Sequence, residues 1–89
     1  MAETAKHIFF AGHVQGVGFR FTAQSVAKRY ELTGFVRNNH DGKVEMLVQG
    51  QKEDIEDCLH DLQETFAIND FESDDIAPDP AYIDFRIKF

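Results

Sequence analysis

The sequence predicts an α+β fold in which two helices cover one face of an antiparallel sheet. Two segments repeat apolar residues at the 3.6-residue spacing of amphipathic helices, and the segments around them alternate apolar and polar residues as half-buried strands do. The chain has 89 residues, enough for one domain with a modest core. We therefore expect residues 1–89 to form a single domain with the order β, α, β, β, α, followed by one or two strands.

The chain opens with a strand, a glycine-rich loop and a helix. Residues 7–11 form a short aromatic and aliphatic run that Gly12 closes, as expected for a first strand. After the loop, one helical face carries apolar residues and the last turn is basic, which suits the helix dipole. The residues of that face are Phe19, Ala23, Val26, Ala27 and Tyr30. We expect this helix to stop near residues 32–34.

A β-hairpin follows. Residues 34–39 and 43–49 have strand character, and the sequence between them, Asn39-His40-Asp41-Gly42, is a strong turn signal. Asp41 is expected to shape the turn. Arg37 is expected to be a surface charge, since strand alternation sends it to the sheet face opposite its neighbour Asn38.

Residues 51–66 give the clearest helical pattern of the chain. Acidic side chains crowd its N-terminal half, where the helix dipole favours them. The apolar stripe consists of Ile55, Cys58, Leu59, Leu62 and Phe66. Because Cys58 lies on this stripe, we interpret it as a small core residue and not as a reactive thiol.

The C-terminal part is predicted to add strands. Residues 71–76 are expected to form a short acidic strand and residues 77–81 an exposed turn. At the end of the chain, Ile83, Phe85, Ile87 and Phe89 alternate with polar residues, which indicates a half-buried strand. Two βαβ halves in this order make a ferredoxin-like split βαβ sandwich, with the first and third strands central and both helices on one face.

Composition limits the classes of partner. The net charge is −7, whereas nucleic-acid and anionic-membrane surfaces need a broad basic face, so we expect neither nucleic acid nor membrane as a partner. Cys58 is the single cysteine and fits a reducing compartment. The N-terminal residues lack the apolar core of a signal peptide, and no run is long enough to span a bilayer. These observations favour a cytoplasmic protein.

Three groups of residues have ordinary structural interpretations. His7, His13, His40 and His60 have no metal-site spacing, and we expect none of them to be a ligand. Asp74, Asp75 and Asp79 match no calcium loop and are expected to form a solvated acidic edge. Phe9, Phe10, Phe35 and Phe85 are expected to be core residues and not a base-stacking platform.

The segment Gly12-His13-Val14-Gln15-Gly16-Val17-Gly18-Phe19-Arg20 is the strongest candidate for function. Its three glycines allow positive φ and close approach of a ligand to the backbone. A strand that feeds such a loop, followed by a helix, gathers amides at a helix N-terminus and so favours an anion such as phosphate. Arg20 adds a forked positive charge. The alternative is a glycine-containing turn whose arginine faces solvent.

This segment, together with the run from Gly34 through Asn38 and Gly42 to Gly50, resembles the two signatures of the acylphosphatase family. The two motifs cover about a third of the chain, and their order and separation agree with that family. The resemblance implies hydrolysis of a small-molecule acyl phosphate to a carboxylate and inorganic phosphate. It also implies a ferredoxin-like fold, in agreement with the element order.

The resemblance assigns roles residue by residue. Arg20 corresponds to the arginine that holds the phosphoryl group, and Asn38 to the asparagine that positions the attacking water. The backbone amides that correspond to the phosphate-binding loop are those of Gln15, Gly16, Val17, Gly18 and Phe19. His13 is a departure, because the family often has arginine or lysine there.

The residue chemistry agrees with these roles. The carboxylate leaving group of an acyl phosphate departs without protonation, so no general acid is needed, and phosphoryl transfer depends mainly on positioning and charge stabilisation. Amides and one guanidinium supply both, so we expect no metal and no cofactor. Because an asparagine side chain is not a base at neutral pH, we expect Asn38 to orient water while the proton passes to a phosphate oxygen.

A second hypothesis is a non-catalytic ferredoxin-like module that binds a small anion or a partner protein, since this fold serves many functions. Nothing in the sequence identifies a pocket for the acyl part, so broad substrate specificity is expected. The oligomeric state is open, with a monomer as the default.

Overall fold

The computed structural model describes residues 3–12, 18–66, 68 and 70–89, and within these it confirms the α+β, ferredoxin-like class. The elements follow the predicted order, and the acidic segment is indeed a strand. They are β1 (Thr4–Phe10), α1 (Phe19–Arg29), β2 (Thr33–Asn38), β3 (Val44–Gly50), α2 (Lys52–Phe66), β4 (Phe71–Ile76) and β5 (Phe85–Lys88). No helix among the described residues is long and apolar enough to cross a membrane.

The five strands form one sheet in the order β4-β1-β3-β2-β5. As predicted, the first and third strands are interior. The pairs β1–β3, β1–β4 and β2–β3 are antiparallel, but β2 and β5 are parallel, so the expectation of a wholly antiparallel sheet is wrong at this edge. The reason is topological: the chain crosses from one edge, β4, to the other before β5 begins, and it enters β5 beside the start of β2. The N–H of Gly34 there donates to the carbonyl of Asp84 at 2.9 Å.

The core lies between the helices and one face of the sheet. The predicted helical faces are the buried ones: Phe19, Ala23, Val26 and Ala27 of α1, and Ile55, Cys58, Leu59 and Leu62 of α2. They pack on the alternate strand residues Ile8, Phe10, Val36, Val44, Met46, Val48 and Phe85. Burial of this apolar surface is the main favourable contribution to folding.

The opposite face of the sheet carries no helix and splits the expected phenylalanine cluster. Phe10 and Phe85 belong to the helix-covered core, as predicted. Phe9 and Phe35 occupy the alternate positions, because successive side chains of a strand point to opposite faces. Phe9 is only half-buried and lies beside the ring of His7, and Phe35 lies beside Tyr82. The prediction of core residues is therefore confirmed for Phe10 and Phe85 and for Phe35, which is buried on the opposite face, and is wrong for Phe9.

The last strand is shorter than the alternation predicts. β5 comprises Phe85–Lys88, with Phe85 buried and Ile87 half-buried. Ile83 is 80% exposed and Phe89 is 93% exposed, so both fall outside the half-buried strand predicted for them. Each lies beyond an end of β5, where the ladder to β2 no longer holds the backbone against the core.

Gly34 is required for the central packing of the sheet. Its φ is +135°, and a Cβ added there would lie 1.9 Å from the carbonyl oxygen of Leu47 on the neighbouring strand. No side chain fits such a contact, so the glycine of the second motif has a structural role in pairing β2 with β3.

Candidate active site

Asn38 is the last residue of β2 and points toward the helices. It pairs with Val44 at the turn end of the β2–β3 hairpin. Strand alternation places its side chain on the same face as Val36, which is fully buried beneath the helices. Arg37 consequently lies on the opposite face. The polar residue that the sequence singled out thus faces the layer that contains the start of α1.

The side-chain oxygen of Asn38 is buried and has no hydrogen-bond partner among the residues that the structure describes. A buried polar atom without a partner costs roughly 1–3 kcal/mol, so such atoms are uncommon in folded proteins. A buried acceptor of this kind requires a hydrogen-bond donor, and an ordered water is one candidate.

The turn after Asn38 is rigid. The N–H of Asn39 donates to the carbonyl of Lys43 at 2.8 Å, and the Asp41 carboxylate accepts from the N–H of Lys43 at 2.9 Å. The predicted role of Asp41 in shaping the turn is confirmed. These bonds fix the hairpin end and hence the backbone from which Asn38 projects.

Helix α1 begins at the same end of the molecule. Phe19, its first residue, is buried against Phe10 and Phe66 with ring centroids 5.0 Å away in both cases. Gly18 precedes it with φ 78° and ψ 14°, the left-handed conformation that glycine adopts without strain. Among the described residues no side chain caps this helix, and its first turn has no acidic residue. The positive end of its dipole favours a negative charge at this position.

Arg20, in the first turn of α1, lies next to the end of β5. Its guanidinium carbon is 5.2 Å from the ring centroid of Phe89. In the parallel pair of β2 and β5, Arg37 is opposite Lys88, so the next residues along the two strands, Asn38 and Phe89, are neighbours. The structure thus places Arg20 and Asn38 at the same end and on the same face of the sheet, with the Phe89 ring against the guanidinium of Arg20.

The predicted phosphate-binding loop is described only at its C-terminal boundary. Gly18 and Phe19 are the residues just discussed. Gln15, Gly16 and Val17, together with His13, lie outside the described residues, and their assignment stays a prediction. The flanks of the loop are fixed: Phe10 pairs with Val44 at the level of Asn38, and the N–H of Ala11 donates to the carbonyl of Asp70 at 3.1 Å.

A second polar cluster lies on the open face of the sheet and spans the three adjacent strands β1, β3 and β2. Glu45 is buried there and accepts from Nε2 of His7 at 2.6 Å and from Nε of Arg37 at 2.7 Å. Burial by itself raises the pKa of the Glu45 carboxyl, but the hydrogen bonds and charges of His7 and Arg37 outweigh it and hold the pKa below its ordinary value. Arg37 is exposed, as expected for a surface charge, and is also ion-paired.

A cavity of about 500 Å³ occupies the edge formed by β5 and the preceding loop. Its lining includes Phe35, Tyr82 and Lys88 but neither Arg20 nor Asn38. It lies by the start of β2, at the opposite end of that strand from Asn38. It is therefore separate from the candidate site.

Other potentially reactive groups are accounted for elsewhere. Among residues 3–12, 18–66, 68 and 70–89, no group of three or more His, Cys, Asp or Glu side chains could hold a metal ion. Burial raises the pKa of the Cys58 thiol to about 12, in agreement with its interpretation as a core residue. Asp75 forms an exposed ion pair with Lys6 at 2.7 Å.

The contact of Phe89 with Arg20 is the feature of the site that sequence reasoning missed. The alternation of Ile83, Phe85, Ile87 and Phe89 predicts a ring buried in the core. In the structure Phe89 follows Lys88, the last paired residue of β5, and its ring lies beside Arg20. No sequence signal distinguishes these two outcomes.

The fold is that of a small ferredoxin-like protein, and at one end of its sheet the start of α1 after Gly18 lies on the same side as Asn38. Residues 6–87 match the family model described as acylphosphatase. The chain belongs to the acylphosphatase family.

Similarity to individual members extends along most of the chain. It is 44% identical over 61 residues to an acylphosphatase of Alcanivorax borkumensis, which covers 68% of this chain and 66% of the relative. It is 35% identical over 85 residues to an acylphosphatase of Bacillus pumilus, which covers 92% of this chain and 94% of the relative. A crystal structure of acylphosphatase from Bacillus subtilis superposes with a TM-score of 0.89 at 28% identity, over 97% of this chain and 99% of that one. For the Alcanivorax relative and two other curated relatives, the match spans 66%, 61% and 52% of the relative's length.

Proposed function

We propose that the protein is a metal-independent acylphosphatase, which hydrolyses small-molecule acyl phosphates to a carboxylate and inorganic phosphate. The observation that carries the proposal is the buried oxygen of Asn38, which lacks a partner among the described residues and lies at the same end and face of the sheet as Arg20. Membership of the acylphosphatase family supports the same reaction.

Arg20 and the amides before it hold the phosphoryl group in this proposal. Within the described part of the chain, the guanidinium of Arg20 has no hydrogen bond or ion pair, so its donors are available to a ligand. A guanidinium binds two phosphate oxygens at once and keeps its charge at every relevant pH. Further donors in this proposal are backbone amides at the start of α1, whose dipole favours an anion. They belong to Gln15, Gly16, Val17, Gly18 and Phe19.

Asn38 orients the attacking water. Its side-chain oxygen accepts a hydrogen bond from the water and so aims the lone pair of the water at phosphorus. The bond between the water oxygen and phosphorus forms as the bond to the acyl oxygen breaks, and the carboxylate leaves unprotonated. The proton of the water passes to a phosphate oxygen, so no side chain has to act as an acid or a base. Positioning and charge stabilisation supply the rate enhancement.

The cellular setting follows from the same features. The single cysteine is buried and reduced, which suits a cytoplasmic enzyme. We propose a monomer that takes neither nucleic acid nor membrane as a partner. No described wall encloses the acyl side of the site, so a range of acyl phosphates is expected to react.

The test is hydrolysis of benzoyl phosphate by the parent protein and by Asn38→Ala, both in the presence of a metal chelator. Removing a group that acts on the reacting atoms typically costs about 10²–10³ in rate, and we expect a loss of that size in kcat for Asn38→Ala. Binding of inorganic phosphate, followed by titration calorimetry, should be retained. Asn39→Ala, the same change one residue along the chain, serves as the matched control and should keep its activity.

Two outcomes would reject the proposal. If parent and Asn38→Ala are equally inert while phosphate still binds, the protein is a non-catalytic anion-binding module. If the parent hydrolyses the substrate only without chelator, the reaction depends on a metal and the assigned roles are wrong.

A further inference from the structure

Phe89 has an exposed ring that does nothing for the hydrophobic core. It is 93% exposed, far more than Ile87 two residues earlier on the same side of the strand. Its described contact is with Arg20, whose guanidinium carbon lies 5.2 Å from the ring centroid. This distance is within the range of a cation–π interaction, about 6 Å.

One hydrogen bond and the register of a strand pair place Phe89 near Arg20. The side-chain amide of Gln24, one turn along α1 from Arg20, donates to the carbonyl of Phe85 at 3.2 Å and ties the helix to β5. The register of β2 and β5 then carries Phe89 to the level of Asn38. The ring therefore lies against Arg20 at the end of the sheet where Asn38 also lies.

An aromatic face suits this position better than a carboxylate would. An acidic partner would occupy the N–H groups of Arg20 and neutralise its charge, as Glu45 does for Arg37 on the other face. A ring attracts the guanidinium through its π face and leaves the in-plane N–H donors free for two phosphate oxygens. Among the described residues Arg20 has no ion pair that competes with this arrangement.

We infer that Phe89 is a positioning residue, whose ring orients the Arg20 guanidinium for an incoming phosphoryl group while leaving its hydrogen-bond donors unused. The inference rests on the proposed function for its catalytic consequence, but it also makes a claim about phosphate binding that holds without catalysis. Phe89 itself need not touch the reacting atoms.

The experiment compares Phe89→Leu and Phe89→Tyr with the parent. Loss of an exposed cation–π contact corresponds to roughly a two- to fivefold effect. We expect Phe89→Leu to lose that factor in kcat/KM for benzoyl phosphate and to bind inorganic phosphate weaker by a similar factor. Phe89→Tyr keeps the aromatic face and should restore both values. Ile83→Ala, which truncates the exposed apolar residue at the other end of β5, should change neither.

A double-mutant cycle separates positioning from a general effect on the strand. In an Arg20→Ala background, Phe89→Leu should have no further effect on residual hydrolysis or on phosphate binding. The inference is overturned if Phe89→Leu matches the parent, if Phe89→Tyr fails to rescue, or if the loss persists without Arg20. If the parent binds phosphate but does not hydrolyse the substrate, the proposed function fails, while the phosphate affinities still decide the role of Phe89.

Discussion

Two polar clusters flank the same pair of strands and differ in how far their groups are paired. On the helix side, the side-chain oxygen of Asn38 is buried without a partner among the described residues. The guanidinium of Arg20, within the same residues, lies against the ring of Phe89 and has no ion pair. On the open face, one residue away along each strand, Glu45 is bonded to both His7 and Arg37. Satisfied polar groups stabilise a fold, whereas uncommitted ones are available to a ligand.

The difference teaches which cluster serves stability and which serves chemistry. The Glu45 cluster is complete without any ligand, and its members come from three adjacent strands, so it locks the register of β1, β3 and β2. In the proposed function, water and a phosphoryl group supply the partners of the cluster of Arg20 and Asn38. Substitutions at Arg20 or Asn38 should therefore lower activity more than stability. Substitutions in the Glu45 cluster should lower stability and leave activity unchanged.

The largest effect is expected at Arg20. Arg20→Lys keeps the charge but loses the fork, and Arg20→Ala loses both, so each should lower kcat/KM for benzoyl phosphate by at least about 10²–10³. Arg20 is half-exposed and has no ion pair within the described residues. The free energy of unfolding of both variants should therefore differ from that of the parent by no more than about 0.5 kcal/mol. Kinetics and urea denaturation measure the two quantities.

The matched control for Arg20 is Arg86→Lys. Arg86 is an exposed arginine of β5 whose guanidinium binds Asp84 at 3.0 Å, on the face away from the site. It should leave kcat/KM unchanged. Full activity in Arg20→Lys would show that a point charge suffices and that bidentate binding is not used.

An effect of the opposite kind is expected at Glu45. Glu45→Gln removes the charge from two hydrogen bonds at a buried position, and such bonds contribute about 1–3 kcal/mol, so the free energy of unfolding should fall by that amount. The site lies on the other face of the sheet, so kcat/KM should remain that of the parent. Urea denaturation at neutral pH measures the loss.

The pH dependence identifies the cause of that loss. The pKa of Glu45 is lower in the folded protein than its ordinary value of 4.5, so the folded state favours the ionised carboxylate. Its contribution is complete above about pH 4.5 and disappears as the pH falls through the folded-state pKa. Parent and Glu45→Gln should therefore converge in stability on acidification. If the difference in free energy of unfolding between the parent and Glu45→Gln stays constant as the pH falls below about 4.5, packing and not ionisation explains the loss.

Local sequence patterns predict most of the fold. Period-3.6 repeats gave both helices with their buried faces, and the turn chemistry around Asp41 gave the hairpin. Alternation also placed Arg37 and Asn38 on opposite faces, as the structure shows. These are properties of neighbouring residues, which a sequence displays directly.

Long-range geometry was out of reach for the same reason. Glu45 and its partner His7 are 38 residues apart, and nothing in either strand signals their hydrogen bond. The parallel pairing of β5 and the position of Phe89 depend on how the chain crosses between sheet edges. The family resemblance identifies Arg20 and Asn38 from the sequence. The contact of Phe89 with Arg20 becomes visible only in the structure, from the register of β2 and β5.

The smallest effect is expected at Asp75, which sharpens the comparison by changing burial alone. Its ion pair with Lys6 has the same 2.7 Å distance as that of Glu45 with Arg37, yet its side chain is 85% exposed, against 8% for Glu45. Lys6 lowers the pKa of Asp75, but water and salt screen an exposed pair and the unpaired groups rehydrate at little cost. Asp75→Asn should therefore unfold in urea almost as the parent does, with any difference vanishing at high salt. A loss as large as that of Glu45→Gln would show that distance, and not burial, sets the stabilisation by ion pairs in this sheet.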